Sequence, residues 1–115
     1  MDKDISVLMS VYKNDIPENV EKAVESVVNQ TLSPKQIVMV VDGPVPDKLM
    51  QMLKSLEEKY PIYQNVFLEE NGGLGNALKE GTKYCKYEFI ARMDSDDISV
   101  PERFEKEMRV FENDE

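Results

Sequence analysis

Three carboxylates within four residues, Asp94-Ser95-Asp96-Asp97, follow directly on the largely apolar run Phe89-Ile90-Ala91-Arg92-Met93. Carboxylates this close repel one another, and a site that keeps them ionised at neutral pH usually supplies a cation. Oxygen-only ligation selects hard ions such as Mg²⁺, Mn²⁺ or Ca²⁺, and the chain has no histidine for a typical zinc or copper centre. An EF-hand count puts Asp94, Asp96 and Glu105 at positions one, three and twelve, but the middle of that loop fails. Ile98 would stand at position five, Ser99 where the sharp turn requires glycine, and Pro101 at position eight. The bland alternative is a solvated acidic turn capping a helix that opens near Pro101. The position of the cluster favours a ligand site, because open α/β sheets bind at the carboxyl ends of their strands.

Other groups with chemical potential stand at comparable places. Ser10 and Tyr12 close the run Ile5-Ser6-Val7-Leu8-Met9-Ser10-Val11, and Asp42 closes Gln36 to Val41 just before the Gly43-Pro44 turn signal. Asn71-Gly72-Gly73-Leu74-Gly75 follows Val66-Phe67-Leu68. Its glycines permit backbone conformations closed to other residues, or a close approach of backbone to ligand. It lacks the Gly-Lys-Ser/Thr of a phosphate loop and the spacing of a dinucleotide fingerprint, so a tight strand-to-helix turn explains it equally well.

The elements that position these groups are legible as apolar patterns. Ile5–Val11, Gln36–Val41, Val66–Leu68 and Phe89–Met93 read as strands, the first two buried on both faces. A helix from Pro17, capped by Asn14 or Asp15, gathers Val20, Ala23, Val24, Val27 and Val28 on one face. A second, from about Asp47, gathers Leu49, Met52, Leu53 and Leu56. A third carries Ala77, Leu78 and Gly81, and a last opens at Pro101 with Phe104, Met108 and Phe111 inward. The alternation predicts one α/β domain over residues 1–115, with a mainly parallel sheet and helices on both faces. All four strand ends then share one edge, where a crevice for a nucleotide-sized ligand is expected.

Composition narrows the partners. Hydrophobic residues make up 41% of the 115 and charged residues 32%, a globular balance. A net charge of −9 leaves no basic stripe for nucleic acid, so no nucleic-acid partner is expected. Cys85 is the only cysteine, which fits a reducing compartment and a cytoplasmic location. The longest aliphatic run, Ile37 to Val41, is far short of the roughly 18 residues of a membrane span, and Met1-Asp2-Lys3-Asp4 does not resemble a signal peptide. Peripheral attachment to a membrane through a longer parent chain remains compatible with this.

Taken together, Ile5 to Tyr12, Ala23-Val24-Glu25-Ser26-Val27-Val28-Asn29-Gln30-Thr31, Ile37-Val38-Met39-Val40-Val41-Asp42 and Asp94-Ser95-Asp96-Asp97 resemble the amino-terminal half of family-2 glycosyltransferases. The four motifs keep the family's order and approximate spacing from about Ile5 to Phe111. The resemblance implies a Rossmann-like GT-A fold, a nucleotide-sugar donor, Mg²⁺ or Mn²⁺, a glycan or lipid-linked acceptor, and inversion at the anomeric carbon. It places the donor's base, commonly uracil, near Ser10, Tyr12 and Asp42, with Asp94 near the ribose and Asp96 and Asp97 at the metal. Asn71, Gly73 and Lys79 are the further donor contacts it suggests.

Two departures from the family pattern matter. Where the family often shows Ala-Arg-Asn, this chain has Ala77-Leu78-Lys79, so only Lys79 could replace the arginine's charge. The family's general base and most of its acceptor site belong to a carboxyl-terminal half beyond Glu115. The expectation is therefore an amino-terminal part that binds nucleotide, does not complete transfer alone, and self-associates through apolar surface the other half would cover, which sedimentation reads directly. A non-catalytic nucleotide-binding or dimerisation module is the alternative. A sugar nucleotidyltransferase fits less well, because Ser10-Val11-Tyr12-Lys13 stands where its glycine-rich, basic signature would be.

Overall fold

The computed structural model describes residues 4–95 and 101–106. Four parallel strands form one sheet: β1 (Ile5–Val11), β2 (Gln36–Asp42), β3 (Tyr63–Leu68) and β4 (Phe89–Asp94), in the order β3-β2-β1-β4. Helices α1 (Pro17–Val28), α2 (Asp47–Lys59) and α3 (Leu74–Thr82) make the crossovers. The first two crossovers step outward from β1 to β3. The third returns past β1 to β4, and with crossovers of one hand that reversal puts α3 on the opposite face.

The alternation of side chains along the strands shows this division. Val7, Met9, Ile37 and Met39 pack with the apolar faces of α1 and α2. Leu8, Val38, Val40 and Val66 face the other way and pack with Ala77 of α3. Every residue of β2 is buried, as a central parallel strand requires. Gly81 lets α3 lie close to the sheet, since a Cβ there would sit 2.5 Å from Leu8 Cδ1 and 2.6 Å from Val40 Cγ2.

The doubly wound α/β architecture expected from the pattern is present, with three local corrections. β3 begins at Tyr63 rather than Val66. Its early residues lack an apolar run because they make polar bonds at the sheet edge: Tyr63 Oη donates to Asn65 Oδ1, and Asn65 Nδ2 donates to Leu53 O and Glu57 Oε1. Neither Asn14 nor Asp15 caps α1; Ile16 holds the N-cap without a side-chain bond, and Asp15 turns back to Tyr12 instead. Residues 103–106 are helical with Phe104 fully buried, whereas Met108 and Phe111 lie outside the described residues. No described helix is long and apolar enough to cross a membrane.

A polar knot fastens the sheet on its α3 face, opposite the strand ends. Gln36 Oε1 accepts from Ser6 Oγ (2.7 Å) and Lys86 N (2.9 Å), while its Nε2 donates to Gln64 Oε1 (3.0 Å) and Tyr84 O (2.8 Å). Ser6 Oγ in turn accepts Tyr87 N–H at 3.2 Å. One side chain thus joins β1, β2, β3 and the α3–β4 connection. Buried polar groups are costly when unpaired and specific when fully paired. Gln36→Met keeps the volume but strands several of these partners, and is expected to cost about 2–4 kcal/mol, read as a lower urea midpoint with unchanged slope. A loss under about 0.5 kcal/mol would deny the knot a structural role.

Candidate functional site

The sheet order reverses at β1, so the carboxyl ends of β1 and β4 flank the point where open α/β sheets form their ligand crevice. A cleft of about 390 Å³ opens there, within the range of small-molecule sites. Ser10, Tyr12, Asp42, Asn71, Gly73 and Asp94, all singled out from the sequence, line it. Lys79 is exposed on α3 and is not among the lining residues. Asp96 and Asp97 lie outside the described residues. Among the described residues no cluster of three or more potential metal ligands occurs.

Parallel pairing sets the floor of the cleft. Ser10 is in register with Asp94 on one side and Val40 on the other, so the Ser10 and Asp94 side chains share a sheet face. Tyr12, just past β1, is 42% exposed, which leaves ring surface available for stacking. Its backbone is fixed by a reciprocal turn: Tyr12 N–H donates to Asp15 Oδ2 at 2.9 Å, and Asp15 N–H donates to Tyr12 O at 3.1 Å. Asp15 therefore belongs to the cleft, a place that reading it as a helix cap had missed.

Asp42 is only 5% exposed and forms the central link. Its Oδ1 accepts Gly72 N–H at 2.9 Å and its Oδ2 accepts Gly73 N–H at 3.1 Å. The carboxylate thus ties the end of β2 to the β3–α3 turn, rather than closing an Asx-turn on its own backbone. Its charge sits beside the amino terminus of α3, whose dipole favours an anion. Each oxygen retains a further acceptor site, since an ionised carboxylate offers about four lone-pair directions. The N–H groups of Gly72 and Gly73 are thereby engaged, so a ligand approaching this turn meets the first turn of α3, whose leading N–H groups have no partner within the helix.

Two glycines hold this geometry for different reasons. Gly43 has φ 86°, and a Cβ there would lie 2.6 Å from Asn71 N, so the β2–α2 and β3–α3 loops touch at backbone level. Gly73, the N-cap of α3, has φ 88° but open space around it. The charged residues lining the cleft are Asp15, Asp42 and Asp94, all acidic, with no lysine or arginine among the described lining residues. Glu105, the terminal ligand of the EF-hand count, has Oε2 accepting the Thr31 hydroxyl at 2.7 Å.

The profile of glycosyl transferase family 2 matches residues 6–115. The chain is 44% identical over 108 residues to the amylovoran biosynthesis glycosyltransferase AmsE of Erwinia amylovora, covering 94% of this chain and 40% of that protein. It is 36% identical over 100 residues to a UDP-Gal:alpha-D-GlcNAc-diphosphoundecaprenol beta-1,3-galactosyltransferase of Escherichia coli, covering 87% of this chain and 36% of that protein. The crystal structure of S. aureus TarS 1–349 in complex with UDP superposes with a TM-score of 0.79 at 25% identity, covering 96% of this chain and 33% of that one.

Gly43→Ala forces an L-residue into the left-handed region against the Asn71 backbone, and should cost about 2–4 kcal/mol. Gly75→Ala, with no atom within 4 Å of the added carbon, should be neutral or stabilising by up to ~1 kcal/mol. Equal effects of the two substitutions in thermal unfolding would show that the loop contact carries no weight.

Proposed function

The chain belongs to glycosyl transferase family 2, and from that premise we propose that it is the donor-binding part of an enzyme transferring a sugar from a UDP-sugar to an acceptor hydroxyl with inversion. The observation that carries this reading is the convergence of Ser10, Tyr12, Asp42, Asn71, Gly73 and Asp94 on one cleft at the sheet's reversal point. In this reading the Tyr12 ring stacks on the base, and a free lone pair of Asp42 accepts the imide N–H of uracil in a charge-assisted bond. Asp94, in register with Ser10, meets the ribose. A uridine nucleotide is favoured because the Escherichia coli relative is named for a UDP-sugar and the TarS structure holds UDP. The former also acts on a lipid-linked acceptor, the class we carry over here.

The cleft's charge supports a divalent cation. A diphosphate entering it meets Asp15, Asp42 and Asp94 and no described lining cation, so its charge needs a counter-ion of its own. Asp96 and Asp97 would hold Mg²⁺ or Mn²⁺, hard ions suited to an oxygen-only donor set. When bound, the ion stabilises the charge that develops on the departing diphosphate. We assign no catalytic base within this chain.

Asp96→Ala tests the reading. In calorimetric titration its UDP affinity with Mn²⁺ should fall to the level seen with the metal chelated, at unchanged thermal stability. An affinity equal to that of the unmodified chain removes Asp96 from the metal site.

A further inference from the structure

Leu74 opens α3 and is 58% exposed, the most exposed large apolar side chain among the described residues. A lone exposed leucine is ordinary, but its place on the helix sets this one apart. It stands three residues before Ala77 and four before Leu78, so it continues the stripe of α3 that packs on the sheet, where Ala77 is fully buried and Leu78 lies against the same cluster. Leu74 itself joins neither core cluster and lines the cleft instead. The stripe thus runs past the carboxyl edge of the sheet, and its first side chain overhangs the cleft.

The strand order fixes what lies across from it. β2 runs between β3 and β1, so Asp42 at its end stands between the β3–α3 turn that leads into Leu74 and the end of β1 that leads into Tyr12. The two sides are held separately. Asp42 Oδ2 accepts the N–H of Gly73, immediately before Leu74, at 3.1 Å, and Asp15 Oδ2 accepts that of Tyr12 at 2.9 Å. A planar base whose edge meets Asp42 offers one face to each side. We infer that Leu74 is the second wall of the base slot, setting its aliphatic side chain against the face that Tyr12 leaves open. Its occupant is the nucleobase of the donor, a flat apolar surface with a polar edge, and the inference rests on the nucleotide-binding reading above. An aliphatic wall carries no hydrogen-bond pattern, so Leu74 adds affinity while Asp42 selects the base. Closing the slot also keeps water from the bond at Asp42, which strengthens it.

The test uses the full chain and two probes: UDP, and uridine, which carries no phosphate and so binds without calling on a metal. In calorimetric titration Leu74→Ala should weaken both by the same factor, about five- to tenfold, the scale set by partial burial of the carbons removed. Leu74→Met, which keeps an apolar side chain of similar reach, should recover most of that loss. Thermal unfolding of the free chain should be unchanged in both variants, since Leu74 packs in neither core cluster. In magnetic-resonance spectra of the complex with UDP and Mg²⁺, the Leu74 methyl protons should show nuclear Overhauser contacts to uracil H5 or H6, a signal that a merely structural role would not produce. Affinities within about twofold of the unmodified chain, or methyl protons without those contacts, overturn the inference alone. So does a loss for UDP that spares uridine, which would assign Leu74 to the phosphates. An unmodified chain that binds neither probe overturns the nucleotide-binding reading, and this inference with it.

Discussion

Parallel pairing around β1 is the constraint on which the rest of the structure depends. Four parallel strands place all four carboxyl ends on one edge, and the reversal of winding at β1 opens a crevice between β1 and β4 at that edge. Residues far apart in sequence become neighbours by register alone, as Ser10 and Asp94 do. The apolar run of β2, buried along its whole length, keeps that register, since a slip by one residue would turn Gln36 and Asp42 towards the α1–α2 core.

Burial of aliphatic side chains holds the layers together, but three polar side chains decide how the loops sit on them. Gln36 fastens the sheet to the α3–β4 connection, Asp42 fastens β2 to the glycine turn, and Gln30 fastens the end of α1 to the helical residues around Phe104. All three are at least 95% buried, and each has a side-chain oxygen that accepts at least one backbone N–H from a distant loop or segment. A net hydrogen bond contributes only about 1 kcal/mol, whereas a buried group left unpaired costs about 1–3 kcal/mol. The specificity of the loop arrangement therefore lies more in what it costs to break these links than in what each adds.

Much of the fold was legible because apolar periodicity is a direct record of burial. β1, α1 and α2 fall where the spacing of valines and leucines puts them. The early part of β3 was not legible, since Gln64 and Asn65 bond partners in β2 and α2 that no local pattern reveals, and Tyr63 spends its hydroxyl on Asn65. The cleft residues could be named from their place after apolar runs. The double duty of Asp42 could not, because its partners, Gly72 and Gly73, stand thirty or more positions away. Asp15 was misassigned for a related reason: an aspartate ahead of a helix ordinarily caps it, and here the turn at Tyr12 takes the carboxylate instead.

The central claim is that this cleft binds a uridine diphosphate in a metal-dependent way. Calorimetric titration of the chain with UDP, GDP and CDP, each with Mn²⁺ and again with the metal chelated, tests it most directly. UDP binding that exceeds that of the other two nucleotides, and weakens on chelation, is the expected result. Equal binding of all three regardless of metal, or binding of none, would contradict it.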